Sequence, residues 1–154
     1  MSRVRDQYEA LPYPARDPAD ERKRLVTGSP GALAEIEHYL FAGHIDRNQP
    51  FRVLFAGGGT GDGTIMLAQQ MADAGRMGEV VYLDLSTASR RIAEARARAR
   101  GLTNLRFETG SLLDLPTLDL GLFDYIDSCG VLHHLPDPSA GLKALVAALR
   151  PGGG

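Results

Sequence analysis

Apolar residues follow two rhythms along this chain, and their alternation predicts its architecture. Val53-Leu54-Phe55-Ala56 and Val80-Val81-Tyr82-Leu83 are short unbroken runs, as strands buried on both faces should be. Between them Ile65, Ala68 and Met71/Ala72 recur at helical spacing over 62–74, and Gly75 stops the pattern. Ser86 is placed to cap a second helix that runs to 100 and ends at Gly101. Leu105-Arg106-Phe107 predicts a weaker third strand. Tyr125-Ile126, entered through Phe123-Asp124, predicts a fourth. Asp137-Pro138 opens a last helix with Leu142, Leu145, Val146 and Leu149 at helical spacing, closed by Pro151. Strands alternating with helices of ten or more residues form a parallel sheet covered by helices, an α/β fold.

Ahead of this pattern, residues 1–28 hold Pro12, Pro14 and Pro18 among charges, which predicts an extended, irregular arm. Residues 29–154 form the domain proper. Ser29-Pro30 has the form of a helix start, hydroxyl cap then proline. That helix is expected to reach about 41, with Leu33, Ile36, Leu40 and Phe41 facing inward and Gly43 ending it.

In parallel sheets, ligands bind beyond the carboxyl ends of the strands. The first run ends in Gly57-Gly58-Gly59-Thr60-Gly61-Asp62-Gly63, where glycine lets a ligand approach the backbone and the following helix offers free N–H groups. A phosphate-cradling loop needs lysine where Thr64 stands. A dinucleotide fingerprint needs glycine or alanine where Asp62 or Thr64 stands, and an aspartate would repel a pyrophosphate. The spacing that fits is Gly57, Gly59, Gly61, suited to a ligand with a zwitterionic tail. Asp84 closes the second run about 23 residues after Gly61, where a carboxylate can accept from both hydroxyls of a ribose.

Composition narrows the setting. A net charge of −2 gives no general pull toward nucleic acid or anionic membrane, and no apolar stretch approaches the ~20 residues of a membrane span. No secretory signal opens the chain, and Cys129 is its only cysteine, so neither an intramolecular disulfide nor a cysteine-based zinc site is possible. These features point to a cytoplasmic protein. The arginine-rich segment 90–100 reads as the solvated face of a surface helix, since it carries no aromatics for base stacking.

Taken together, VLFAGGGTGDGT, VVYLDLS, RFETGSLLDLP, FDYIDSCGVLHHLPDP and ALRPGGG resemble the successive motifs of the class I S-adenosylmethionine (SAM)-dependent methyltransferases, in order and spacing. QYEALPYP resembles the N-terminal arm of one bacterial branch of that family. The resemblance implies a Rossmann-like, three-layer fold with helices on both faces of the sheet. It implies that Gly57, Gly59 and Gly61 line the methionine part of SAM and that Asp84 holds the ribose. Ser111 and Leu112 would meet the adenine, and Ser128, Cys129 and Gly130 would pass the amine and the transferable methyl. Phe55 departs from the common pattern, which has an acid there.

His133-His134 is common in the family without metal and is read as packing, because adjacent histidines diverge. Cys129 has no activating partner in the sequence and is read as a small residue against the ligand. Tyr8 and Tyr13 either close over the site from the arm or pack on the surface. No catalytic acid or base is assigned, and no metal. The acceptor is a small molecule or a protein. A family sheet has seven strands, so a chain stopping after the helix that follows strand four is expected to leave that strand as a bare edge prone to self-association. A non-catalytic SAM-binding or partner-binding fragment is the main alternative, and a nicotinamide-dependent oxidoreductase the lesser one.

Overall fold

The two apolar runs are the central strands of the sheet in the computed structural model, which describes residues 3–154. In chain order the elements are α1 (Arg3–Ala10), a 3-10 turn (Pro18–Arg22), α2 (Leu33–Glu35) prolonged by a π-turn (Ile36–Leu40), β1 (Phe51–Ala56), α3 (Asp62–Asp73) and β2 (Gly78–Asp84). There follow α4 (Thr87–Arg100), β3 (Leu105–Thr109), a 3-10 turn (Leu112–Thr117), β4 (Tyr125–Asp127), a short turn (Leu132–His134) and α5 (Pro138–Ala147). The strands pair in parallel in the order β3-β2-β1-β4, with Phe55 opposite Tyr82 on one side and Asp127 on the other.

Alternation along the strands divides the core in two. Phe51, Val53 and Phe55 pack with Ile36, Leu67, Ala68 and Met71 on one face. Leu54 and Ala56 pack with Leu115, Phe123 and Leu145 on the other. Both faces of β1 and β2 are therefore dry, which is why their sequences are apolar without a break. Each Leu or Val buried there contributes roughly 1.5–3 kcal/mol. Helix starts follow local capping chemistry: Ser86 Oγ accepts from Ser89 N at 3.0 Å, and Asp137 Oδ1 accepts from Ser139 N at 2.9 Å.

Five expectations need correction. The arm is not simply irregular: residues ahead of its prolines form α1, and Pro18 opens a 3-10 turn. Ser29 does not cap a helix, because its hydroxyl donates to Glu35 Oε1 at 2.8 Å; α2 starts at Leu33, whose N–H is taken by Gln70 of α3 at 2.8 Å. Only Leu145 of the expected α5 stripe is buried among its three members within the helix, while Leu142 and Val146 are 53% and 59% exposed. Nor is β4 wholly bare, since Ile126 N donates to Gly154 O at 2.9 Å and Gly154 N to Asp124 O at 3.1 Å.

The largest correction concerns the arginine run. Arg96 of α4 is fully buried, its side chain 1% exposed, and it binds Glu21 Oε1 at 2.6 Å, Asp62 Oδ1 at 2.7 Å and Thr60 O at 2.8 Å. Arg100 joins Glu21 as well, and Arg16 grips Asp62 with two bonds of 2.8 and 2.6 Å. Far from being a solvated face, this side of α4 ties the arm down across the glycine turn.

Candidate functional site

A cavity of about 630 Å³ opens at the carboxyl ends of the strands, within the range of small-molecule sites. The turn after β1, the tips of β2 and β4, the Gly110–Leu112 turn and the arm wall it. Its geometry starts with the turn. Gly57 N and Gly58 N both donate to Leu83 O, at 2.7 and 3.2 Å, which binds the turn to β2. Gly59, at φ +53°, is fixed at both ends: its N–H donates to Asp84 Oδ2 at 2.8 Å, and its carbonyl accepts from Tyr82 Oη at 2.7 Å. Gly61 has φ +97°, and a Cβ there would lie 2.9 Å from that of Ala93.

Asp84 stands at the centre of one wall. Its Oδ1 accepts from Ser86 N at 2.8 Å, so backbone amides hold both oxygens while lone pairs remain for the cavity. Burial pushes its carboxyl above the usual range, and the amides of Ser86, Gly59 and Leu85 pull the other way. Burial likewise raises the Tyr82 phenol, keeping it a donor to the turn. Asp62 also reaches the cavity; burial opposes its charge, but Arg16 and Arg96 hold it below the usual carboxylate range.

Seven of the nine residues singled out from the sequence meet on this wall: Gly57, Gly59, Asp84, Ser111, Leu112, Cys129 and Gly130. Gly61 does not; it turns the chain into α3 and lets α4 approach at Ala93. Ser128 does not reach the wall either, and its buried hydroxyl has no hydrogen-bond partner among the described residues. Ser111 spends part of its acceptor capacity on Leu113 N, at 3.1 Å. Burial, then the charge of Asp127, pushes the Cys129 thiol up, the opposite of what a nucleophile needs.

Of the paired histidines, His134 lies at the cavity with its ring edge-on to Tyr8 at 6.2 Å, and both side chains are exposed rather than packed in a core. Among the described residues no group of three or more His, Cys, Asp or Glu is arranged to hold a metal. Tyr8 and Tyr13 both line the cavity. The arm is seated there by Glu9, which accepts from Thr87 N and Ala88 N at 2.8 Å each at the start of α4, and by Thr60 Oγ1 donating to Pro14 O at 2.6 Å. Those bonds hold the Glu9 carboxyl down at about 2, the Thr87 hydroxyl contributing most.

Three residues of this site were not singled out from the sequence: Tyr82, Glu9 and Asp127. Asp127 carried the signal that marked Asp84, an acid closing an apolar strand. Nothing local in Tyr82 or Glu9 marks their partners, which lie 23 and 78 residues away.

Comparison with known proteins gives the family. Residues 54–154 match the family model of the methyltransferase domain. An uncharacterized protein of Synechococcus sp. is 35% identical over 152 residues, covering 95% of this chain and 34% of that protein. The ubiquinone biosynthesis O-methyltransferase of Bordetella avium is 31% identical over 148 residues, covering 96% of this chain and 56% of its own. Among solved structures, a protein that converts a disulfide bond into a thioacetal group during echinomycin biosynthesis is 32% identical with a TM-score of 0.61; the match covers 98% of this chain and 58% of that one. The chain thus spans between a third and somewhat over half of these relatives. Among the described residues no helix is long and apolar enough to cross a membrane.

Proposed function

The chain belongs to the methyltransferase-domain family, whose members take their methyl group from SAM, and on that premise we propose that it holds SAM for methyl transfer to a small-molecule or protein acceptor. The observation that carries the reading is the Gly59 N to Asp84 Oδ2 bond in the wall of the cavity. It orients a half-buried carboxylate, with lone pairs to spare, toward a space large enough for a nucleoside. A vicinal diol is the natural donor pair for such a group. Gly57 and Gly59 line the cavity and let Val131 and the Tyr13 backbone close in on the turn, where a Cβ would lie 2.1 Å from Val131 Cγ2 and 2.9 Å from Tyr13 O; Ser111 and Leu112 stand at the tip of β3, where a base would lie.

When bound, the cofactor supplies an electrophilic methyl on a sulfonium, so the protein's work is to position the partners and exclude water. Tyr8 and Tyr13 cover the cavity from the arm, and Asp84 and Gly59 set the register of the ligand along the strand tips. Burial and the charge of Asp127 favour the protonated Cys129 thiol, which disfavours a covalent role. One relative is an O-methyltransferase of ubiquinone biosynthesis and another belongs to the conversion of a disulfide bond into a thioacetal group in echinomycin biosynthesis, so the fold leaves the acceptor open. A dinucleotide is disfavoured by Asp62, held charged at the helix start. A cytoplasmic setting suits a chain whose one cysteine is exposed and free. β4 is an edge strand of the sheet, and copies are proposed to associate through that edge; one monomeric species at every concentration in gel filtration would remove that part.

Titration calorimetry with SAM, S-adenosylhomocysteine and NAD tests the reading. Saturable binding of the first two is expected; tighter binding of NAD, or none of the three, would overturn it. Acceptor assays on this chain and on a version extended to the relatives' length separate an active domain from a SAM-binding fragment.

A further inference from the structure

An amino-acid tail brings a cation into the cavity, and three carboxylates line the wall: Asp62, Asp84 and Asp127. Asp62 is neutralised by Arg16 and Arg96, at 2.6 and 2.7 Å. Asp84 is held by the amides of Gly59 and Ser86 and is committed to the ribose in the reading above. Asp127, at the tip of β4, is different. Its Oδ2 accepts from Tyr125 Oη, at 3.2 Å, the Cys129 thiol is its other polar neighbour, and no Lys, Arg or His among the described residues stands within ion-pair distance of it. It is half-buried, beside Phe55 in the strand register and against Gly31, where a Cβ would lie 3.5 Å from Oδ2.

We propose that Asp127 is the cation-binding residue of the cavity, the carboxylate that receives the ammonium group of the cofactor's amino-acid tail. The proposal rests on the SAM reading and adds to it the residue that selects for the tail. The neighbouring position on β1 is Phe55, which offers no charge, so the anionic group comes from the adjacent strand instead. The order of the strands supports this placement. With β3, β2, β1 and β4 side by side, Ser111, Asp84, the glycine turn and Asp127 form a row along the strand tips. The tips of β2 and β4 stand two strand spacings apart, roughly 10 Å, comparable with the reach of a ribose and a short tail. Tyr125 and Cys129 both feel an anion here: after burial, Asp127's charge is the next cause holding their protons on. A half-buried carboxylate without a cation is costly by itself and gains most from a ligand that brings one.

The test is a double comparison by titration calorimetry: wild type and Asp127→Asn, each with S-adenosylhomocysteine, its deaminated analogue and 5′-methylthioadenosine, which lacks the tail. In the wild type, removal of the amine is expected to weaken binding about 10- to 100-fold, as loss of a charge-assisted bond does. In Asp127→Asn, S-adenosylhomocysteine should weaken by a similar factor, the deaminated analogue should bind no worse than to wild type, and 5′-methylthioadenosine should bind unchanged. Equal binding of S-adenosylhomocysteine and its deaminated analogue to the wild type would overturn the proposal without any variant. So would Asp127→Asn that keeps its S-adenosylhomocysteine affinity, or one that loses all three ligands alike. A wild type that binds none of the adenosine compounds would instead sink the SAM reading beneath it.

Discussion

The turn after β1 and the arm that crosses it share one wall of the cavity, yet they are held by opposite means. The turn is fixed by neutral or singly charged hydrogen bonds from the adjacent strand: Leu83 O, Tyr82 Oη and the Asp84 carboxylate. The arm is fixed by a chain of charges, Arg16, Asp62, Arg96, Glu21 and Arg100, with Arg96 and Glu21 almost wholly out of water at 1% and 3% side-chain exposure. Hydrogen bonds of the first kind contribute about a kilocalorie apiece and fail one at a time. A buried ion network is different, since removing one member strands the others without solvent. The turn is therefore the site's stable floor, and the arm is a cover whose charged network passes through one buried arginine, beside the separate bonds of Glu9 and Pro14.

The contrast can be broken most sharply at Arg96. Arg96→Met leaves Glu21 buried with Arg100 alone and should cost about 3–5 kcal/mol in denaturant unfolding; a loss near the ~0.5 kcal/mol of an ordinary surface change would mean that the network is an ornament of the surface. Next comes Asp84→Ala. It should weaken S-adenosylhomocysteine roughly 10- to 100-fold in calorimetry, and an unchanged affinity would separate the floor of the cavity from ligand binding. Tyr82→Phe, which removes one bond to Gly59 O, should lower unfolding stability by about 1 kcal/mol.

The smallest effect is expected at Glu9, which is partly exposed. Its carboxyl is held at about 2 against an ordinary 4.5, so its contribution to seating the arm is complete above about 4.5 and disappears as pH falls through about 2. The unfolding midpoints of wild type and Glu9→Gln, followed against pH, should differ at neutrality and converge across that window. Curves that stay parallel to pH 2 would show that the charge of Glu9 does not seat the arm.

This division also explains what was legible in the sequence. β1, β2, α3 and α4 were, because each is defined by a period that fits within a dozen residues and is stopped by a glycine or a cap. Asp84 was legible for a related reason: an acid at the end of an apolar run has one place to go. Gly61 was half legible, since its need for positive φ shows in the spacing while its contact with Ala93 does not. Ser128 was misplaced by its neighbours, because alternation along β4 turns successive side chains to opposite faces and Asp127 takes the cavity side. Arg96 and Glu21 were not legible at all. Their pairing spans 75 residues, and in the sequence Arg96 is one arginine among several on α4. The start of α2 failed likewise, because the cap it uses is Gln70 from another helix.

A crystal structure of the protein with S-adenosylhomocysteine bound measures the central claim directly. Both ribose hydroxyls are expected to donate to the Asp84 carboxylate at about 2.6–3.2 Å, with the Gly59 N bond intact. A nucleoside seated elsewhere in the cavity, or an Asp84 side chain turned from it toward solvent, would contradict the account.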